Sequence, residues 1–185
     1  MKKTRKASTV YWDTCVLLAW IRDEKRKNKQ MHGVLSVIRA IEEQGLLMVT
    51  SRMTREVEIK PHLHVDGSLA RLESLMRRTN VEEIDVTPWI EDRAKELQEY
   101  YHDLNDRDGK GILTPRDAIH LATAIEVCVD ELHTFDEGKS RPKIGGKRVR
   151  TRGLLSLDGD VAGHCLRICA PPVYQLDLLE GDSDD

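Results

Sequence analysis

Short β-branched runs alternate along this chain with stretches of helical periodicity, and that alternation leaves few ways to fold it. STVYW at 8–12, LLMVT at 46–50, VEEIDV at 81–86, ELHTF at 131–135 and LRICAP at 166–171 read as strands. Between the first two lie the apolar run CVLLAWI and a helix over 32–44, where Val34, Val37, Ile38 and Ile41 fall at helical spacing and Gly45 ends the run. SRMTREVEIK at 51–60 reads as a short helix stopped by Pro61, and a further helix covers about 67–79. Thr87-Pro88 opens a long helix striped by Ile90, Ala94, Leu97, Tyr101 and Leu104. Thr114-Pro115 opens another, striped by Ala118, Leu121, Ala122 and Ile125. Strands that alternate with helices are joined by crossovers, so the expected class is α/β with a mostly parallel central sheet.

Such sheets place their sites at the carboxyl ends of the strands. Asp13 directly follows the first strand and Asp136 directly follows the fourth. Glu56 lies one short turn past the second, and Asp117 sits in the first turn of the helix that feeds the fourth. If strands one, two and four are neighbours, all four carboxylates face one crevice. Two carboxylates about 4 Å apart repel by about 4 kcal/mol at an effective dielectric near 20, so such a group calls for protonation or for cations. Hard, oxygen-preferring ions such as Mg²⁺ or Mn²⁺ meet that need, and an ion so held can activate water against a phosphodiester.

Each acid also has a plainer reading. Asp117 stands three residues after Thr114, where a helix start favours an acid in any case. Glu56 and Glu58 both lie on a polar helix, which is commonly just a solvated face. Each residue turns a helical side chain by about 100°, so the two cannot face inward equally. Asp136, in TFDEG, would serve as a turn residue. Asp13 is hardest to dismiss, because it interrupts the passage from strand to apolar helix, where an unpaired charge is costly.

Composition narrows the partners. Net charge is −3 and aromatics are 4%, so the core is aliphatic and bulk charge announces no nucleic acid. The distribution is more informative. Residues 139–152, KSRPKIGGKRVRTR, carry only positive charges, and Lys139, Arg141, Lys143, Lys147, Arg148, Arg150 and Arg152 begin at the rim of the proposed crevice. They could grip phosphates without reading sequence, or form a solvated loop. Residues 1–7 form a basic tail, and 175–185 an acidic tail that reads as disordered. Cys15 and Cys128 lie in apolar runs and read as small buried hydrophobes. The HC-x3-C grouping at His164, Cys165 and Cys169 lacks a second ligand pair, and His62 and His64 read as surface histidines. No run approaches about 18 apolar residues, so no membrane span is expected, and a reducing cytoplasm fits the cysteine usage.

YWDTCVLLAWI, the REV segment with Glu56, LTPRDAIHLATAI and LHTFDEG together resemble a PIN-domain protein of the VapC-like toxin type. The resemblance covers roughly residues 8–136, with the strand near 166–171 included. It implies a three-layer α/β/α sandwich and a Mg²⁺- or Mn²⁺-dependent endoribonuclease whose ligands are Asp13, Glu56, Asp117 and Asp136. Thr134 matches the family's hydroxyl position, where it would orient a ligand or water. The family also implies RNA as substrate, a homodimer, and a cognate antitoxin as inhibitor. The chain departs from the pattern in length. Residues 8–174 then form one PIN-like domain with an insertion at about 137–165. A catalytically silent PIN-like module that binds RNA or protein is the competing reading, and retention of all four acids argues against it. A receiver domain would need an acid after the third strand, which here ends at Val86-Thr87-Pro88, and a D-x-D phosphatase fails because Thr14-Cys15 follows Asp13.

Overall fold

The computed structural model describes residues 8–26, 30–43, 45–59, 67–138, 140–141 and 149–174. The five strands expected from the sequence are β1 (Thr9–Trp12), β2 (Leu47–Ser51), β3 (Val81–Ile84), β4 (Glu131–His133) and β7 (Arg167–Cys169). They form one sheet in the order β3-β2-β1-β4-β7, and every neighbouring pair is parallel. The helices are α1 (Thr14–Ile21), α2 (Gln30–Glu43), α3 (Ser68–Met76), α4 (Pro88–Asp108) and α5 (Pro115–Glu126). A two-stranded ribbon, β5 (Ser140–Arg141) with β6 (Val149–Arg150), stands apart from the sheet.

The pleat sends alternate β1 side chains to opposite faces, and each face carries its own core. Val10, Trp12 and Met48 pack with Val16, Leu17, Val37 and Ile41 of α1 and α2 and with Leu72 and Leu75 of α3. Tyr11, Val49, Leu132 and Ile168 pack with Ile90, Leu97 and Tyr101 of α4 and Leu121 of α5. Two helical layers thus enclose the sheet, in the α/β/α arrangement expected. Fully burying a Leu or Ile contributes about 1.5–3 kcal/mol, and Leu17, Ile21, Ile41, Leu75, Leu121, Leu132 and Ile168 are all fully buried.

From β1 the connections run one way to β2 and β3 and the other way to β4 and β7. This reversal opens a crevice beyond the carboxyl ends of β1 and β4. Asp13 and Asp136 follow those two ends. Residues 152–166 are not a loose appendage, since Leu154, Leu157 and Val161 join the α4–α5 core.

The basic segment corrects one expectation. Arg152 is buried at 4% exposure. Its Nη2 binds both Asp108 oxygens at 2.8 and 2.9 Å, and its Nε donates to the Gly111 carbonyl. Its guanidinium also lies 5.1 Å over the Tyr101 ring. Arg152 therefore staples the segment to the end of α4 and offers nothing to RNA. Arg150 is exposed, whereas Lys139, Lys143, Lys147, Arg148 and the Arg141 side chain lie outside what is described.

Cys128 is also exposed, not buried. It takes the left-handed position that ends α5, with φ +53. Cys128 N–H donates to Ile125 O and Val129 N–H to Ala124 O, the paired bonds of a Schellman motif.

Candidate active site at the carboxyl edge

Asp13 is the N-cap of α1. Its Oδ1 accepts from the N–H groups of Cys15 and Val16 at 2.7 and 3.3 Å. Its Oδ2 accepts from the Thr134 hydroxyl at 2.5 Å, and its own N–H donates to the His133 carbonyl. A strand end, a helix start and the neighbouring strand together fix this carboxylate, which is 5% exposed.

Thr134, fully buried, links two of the acids, because its Oγ1 also accepts from the Asp136 N–H at 3.0 Å. The Asp136 carboxylate is held from the far side. Oδ1 accepts from Gly138 N–H and Oδ2 from Leu154 N–H, both at 3.0 Å.

Asp117 is engaged at the helix start and lies close enough to Asp136 and Asp13 for their charges to act on it. Its N–H donates to Thr114 Oγ1 at 3.2 Å, and the Thr114 hydroxyl donates to its Oδ2 at 2.5 Å. Burial raises the Asp117 pKa; the Thr114 bond and His120 oppose that, while the charges of Asp136 and Asp13 add to it. These three acids are therefore close enough to feel one another.

The second strand supplies Glu58 to this crevice, and Glu56 is placed elsewhere. The segment after β2 winds as a π-helical turn, Thr54–Ile59, a form frequent at functional sites. Thr54 and Ile59 are buried and face inward. Glu58, four residues after Thr54, shares that inward face. Glu56 is exposed and lines a groove of about 580 Å³ with Arg55, Leu72, Met76 and Glu83. The Glu58 side chain is 9% exposed. Its Oε2 accepts from the Thr14 hydroxyl and from His120 Nε2, the latter at 3.2 Å, and Arg116 Nη1 lies 3.6 Å from Oε1. Burial pushes its pKa up, but His120, Thr14 and Arg116 outweigh that and leave it lowered.

His120, Thr14 and Arg116 did not stand out as site residues from the sequence, although His120 lies in the DAIHLATA run. His120 is one helical turn past Asp117, with Nδ1 2.8 Å from the Tyr11 hydroxyl. An ionised Glu58 only accepts, so Nε2 carries the proton. Burial disfavours the imidazolium, but the Glu58 hydrogen bond and the charges of Asp13, Glu58 and Asp117 prevail, and the pKa is raised above 6.5. A group with a raised folded-state pKa contributes stability fully below its unfolded value and loses it as pH climbs through the folded one. Metal-free protein is accordingly expected to lose stability as pH rises from 6.5. Melting temperatures across pH should show that slope, and His120→Asn should flatten it whatever its own baseline stability.

A family model described as "PIN domain" matches residues 10–144. The chain belongs to the PIN domain family. No curated protein matches this PIN domain by sequence. Among solved structures it is similar to VapBC2 from Rickettsia felis bound to a promoter DNA fragment, at 14% identity and a TM-score of 0.47, covering 68% of this chain and 86% of that one. It is also similar to VapC20 from Mycobacterium tuberculosis, a sarcin-ricin loop cleaving toxin, at 15% identity and a TM-score of 0.43, covering 69% and 90%. A toxin–antitoxin complex from Klebsiella pneumoniae gives 21% identity and a TM-score of 0.45 over 69% and 87%. Among the described residues of this PIN domain, no helix is long and apolar enough to cross a membrane.

Among the described residues one group has ligand atoms gathered closely enough to resemble a metal site. The ligand atoms of Glu131, His133 and Cys169 lie within 4.8 Å of one another. Trp12 Nε1–H can only donate, so His133 Nδ1 accepts it at 3.1 Å. His133 Nε2 must then carry a hydrogen, which it donates to Glu131 at 2.9 Å. Neither ring nitrogen keeps a lone pair for a metal, and this network ties β1 to β4 and to Tyr174 instead.

Proposed function

We propose that this PIN domain is a metal-dependent endoribonuclease of the toxin type, with Asp13, Glu58, Asp117 and Asp136 as its acidic centre and Glu58 in the place first assigned to Glu56. The observation that carries the reading is charge without compensation. Among the described residues no cationic side chain forms an ion pair with Asp13, Asp117 or Asp136, yet burial and mutual repulsion already act on Asp117. An all-carboxylate donor set fits Mg²⁺ or Mn²⁺ and not a softer ion. Asp13, Asp117, Asp136 and Glu58 would hold the ion, which when bound activates water and offsets phosphodiester charge.

The chain's own groups do the rest. The Thr134 hydroxyl, hydrogen-bonded to Asp13, fixes one oxygen and leaves that carboxylate further acceptor capacity. His120 and Thr14 orient Glu58. Arg116, exposed at the rim, presents donors to a phosphate. A second copy of the chain and an antitoxin are the partners that follow from the same resemblance, with RNA as substrate.

Purified protein incubated with RNA and Mg²⁺ or Mn²⁺, with and without chelator, tests the reading. Cleavage that persists under chelation would falsify it, and metal-dependent RNA binding without cleavage would favour a silent binding module. Glu58→Gln and Glu56→Gln separate the two glutamates. Glu58→Gln is expected to lower the cleavage rate by about 10²-fold, in line with loss of one preorganised charge. Glu56→Gln should stay near wild type.

A further inference from the structure

A small cavity adjoins the acidic centre and belongs to none of the groups above. It has a volume of about 190 Å³ and is lined by Lys110, Glu137, Gly138, Arg150, Thr151, Gly153 and Ser156. It shares its wall with Asp136. Gly138 lines it and donates its N–H to Asp136 Oδ1, and Leu154, next to lining residue Gly153, donates to Oδ2. The volume falls below the roughly 300–1,000 Å³ of pockets that hold drug-sized ligands, so a phosphate-sized group suits it and a nucleoside does not.

The walls are built, not adventitious. Ile112 N–H donates to Arg150 O at 3.1 Å and Arg152 N–H to Ile112 O at 2.9 Å. This parallel bridge, pinned by the Arg152–Asp108 pair, holds Lys110 and Arg150 at one cavity. Gly111 is needed for that approach, since a Cβ there would stand 2.7 Å from Arg150 O. Among the described residues neither the Lys110 ammonium nor the Arg150 guanidinium makes an ion pair, while the Ser156 hydroxyl donates to the Gly153 carbonyl at 2.7 Å. Two cations that form no ion pair among the described residues, beside the acidic centre, are placed to balance an anion delivered from outside.

We infer that this cavity is a phosphate subsite, taking an RNA backbone phosphate that neighbours the one at the acidic centre, with Lys110 and Arg150 as its cationic contacts. The inference rests on the ribonuclease reading for its substrate. It also assigns to Arg150, which lies past the family match ending at residue 144, a role in gripping RNA that Arg152 cannot play.

The test uses full-length protein and a labelled single-stranded RNA oligonucleotide titrated over a range of salt, for wild type, Lys110→Ala, Arg150→Ala, the double variant, and Lys95→Ala as a remote control. Each phosphate neutralised on a single strand adds about 0.7 to the slope of log K against log salt, so losing this one subsite should make the double variant shallower by about 0.7 and leave Lys95→Ala unchanged. In cleavage assays the double variant should raise KM several-fold and leave kcat within twofold. A wild-type slope in the double variant, or no RNA binding by wild type, overturns the subsite. Inorganic phosphate is the second arm: variants that lose phosphate binding and keep wild-type RNA binding would assign the cavity to the free anion and overturn its role in RNA. RNA binding with the expected slope change but no metal-dependent cleavage upholds the subsite and sinks the nuclease reading. Cleavage with an unchanged slope does the reverse.

Discussion

Asp13→Asn is expected to lower metal-dependent RNA cleavage by about 10²–10³-fold and to leave the fold intact. Asn and Asp are equivalent helix N-caps, so the amide oxygen can still accept from Cys15 and Val16 N–H. The amide nitrogen can donate to Thr134 Oγ1, whose own hydrogen then turns toward Cys15 Sγ, 3.6 Å away. What is lost is the charge. In metal-free protein that loss relieves repulsion on Asp117, so the melting temperature should hold or rise. The rise that Mg²⁺ or Mn²⁺ produces in wild type should shrink, because binding to the native state is what stabilises it. Asp13→Ala is a poorer probe, since it also removes the cap, at about 1 kcal/mol. Initial rates on RNA and melting curves with and without metal check the prediction. Activity within tenfold of wild type would remove Asp13 from the centre.

Gly153→Ala is expected to be among the most damaging single-atom additions to the chain. A Cβ at Gly153 would lie 2.1 Å from both the Glu137 carbonyl carbon and Gly138 N. Those are backbone atoms, and no rotamer change can move them aside. Overpacking of this kind costs about 3 kcal/mol, which for a domain of this size lowers Tm by about 6–12 °C. The same shift pulls Gly138 and Leu154 away from Asp136, so cleavage should fall beyond what lost stability explains when assayed well below Tm. Gly159 is a useful contrast. It has open space around it and φ +88, so Gly159→Ala should cost only the left-handed backbone term of about 1–2 kcal/mol and spare activity. Equal effects at the two positions would show that crowding behind Asp136 is unimportant.

The legible part of this molecule was what depends on nearby residues. Period-two and period-3.6 patterns located the five strands of the sheet and the helices between them, since one buried face per element imposes that spacing. Asp13, Asp117 and Asp136 stood out because each sits where a strand ends or a helix begins, and chain direction in a parallel sheet brings such points to one edge. Glu58 was harder. It and Glu56 lie on one turn in a polar run, and choosing between them required knowing that Thr54 and Ile59 face inward. That depends on what packs against the turn. Arg152 was misread for a related reason. In a run of seven cations nothing local marks the one whose partner, Asp108, lies 44 residues away.

The sequence by itself determined the element order and the parallel sheet, because local periodicity and crossover handedness leave little else, and it put Asp13, Asp117 and Asp136 at strand ends or helix starts. Tertiary structure alone decided that Glu58 and not Glu56 meets Thr14 and His120, with Tyr11 behind the imidazole, and that Arg152 is a buried staple while, among the described residues, Arg150 and Lys110 form no ion pair. The physical reason is the same in each case. Burial and partnership across the fold set a side chain's direction and charge environment, and neither is encoded in the residues next to it.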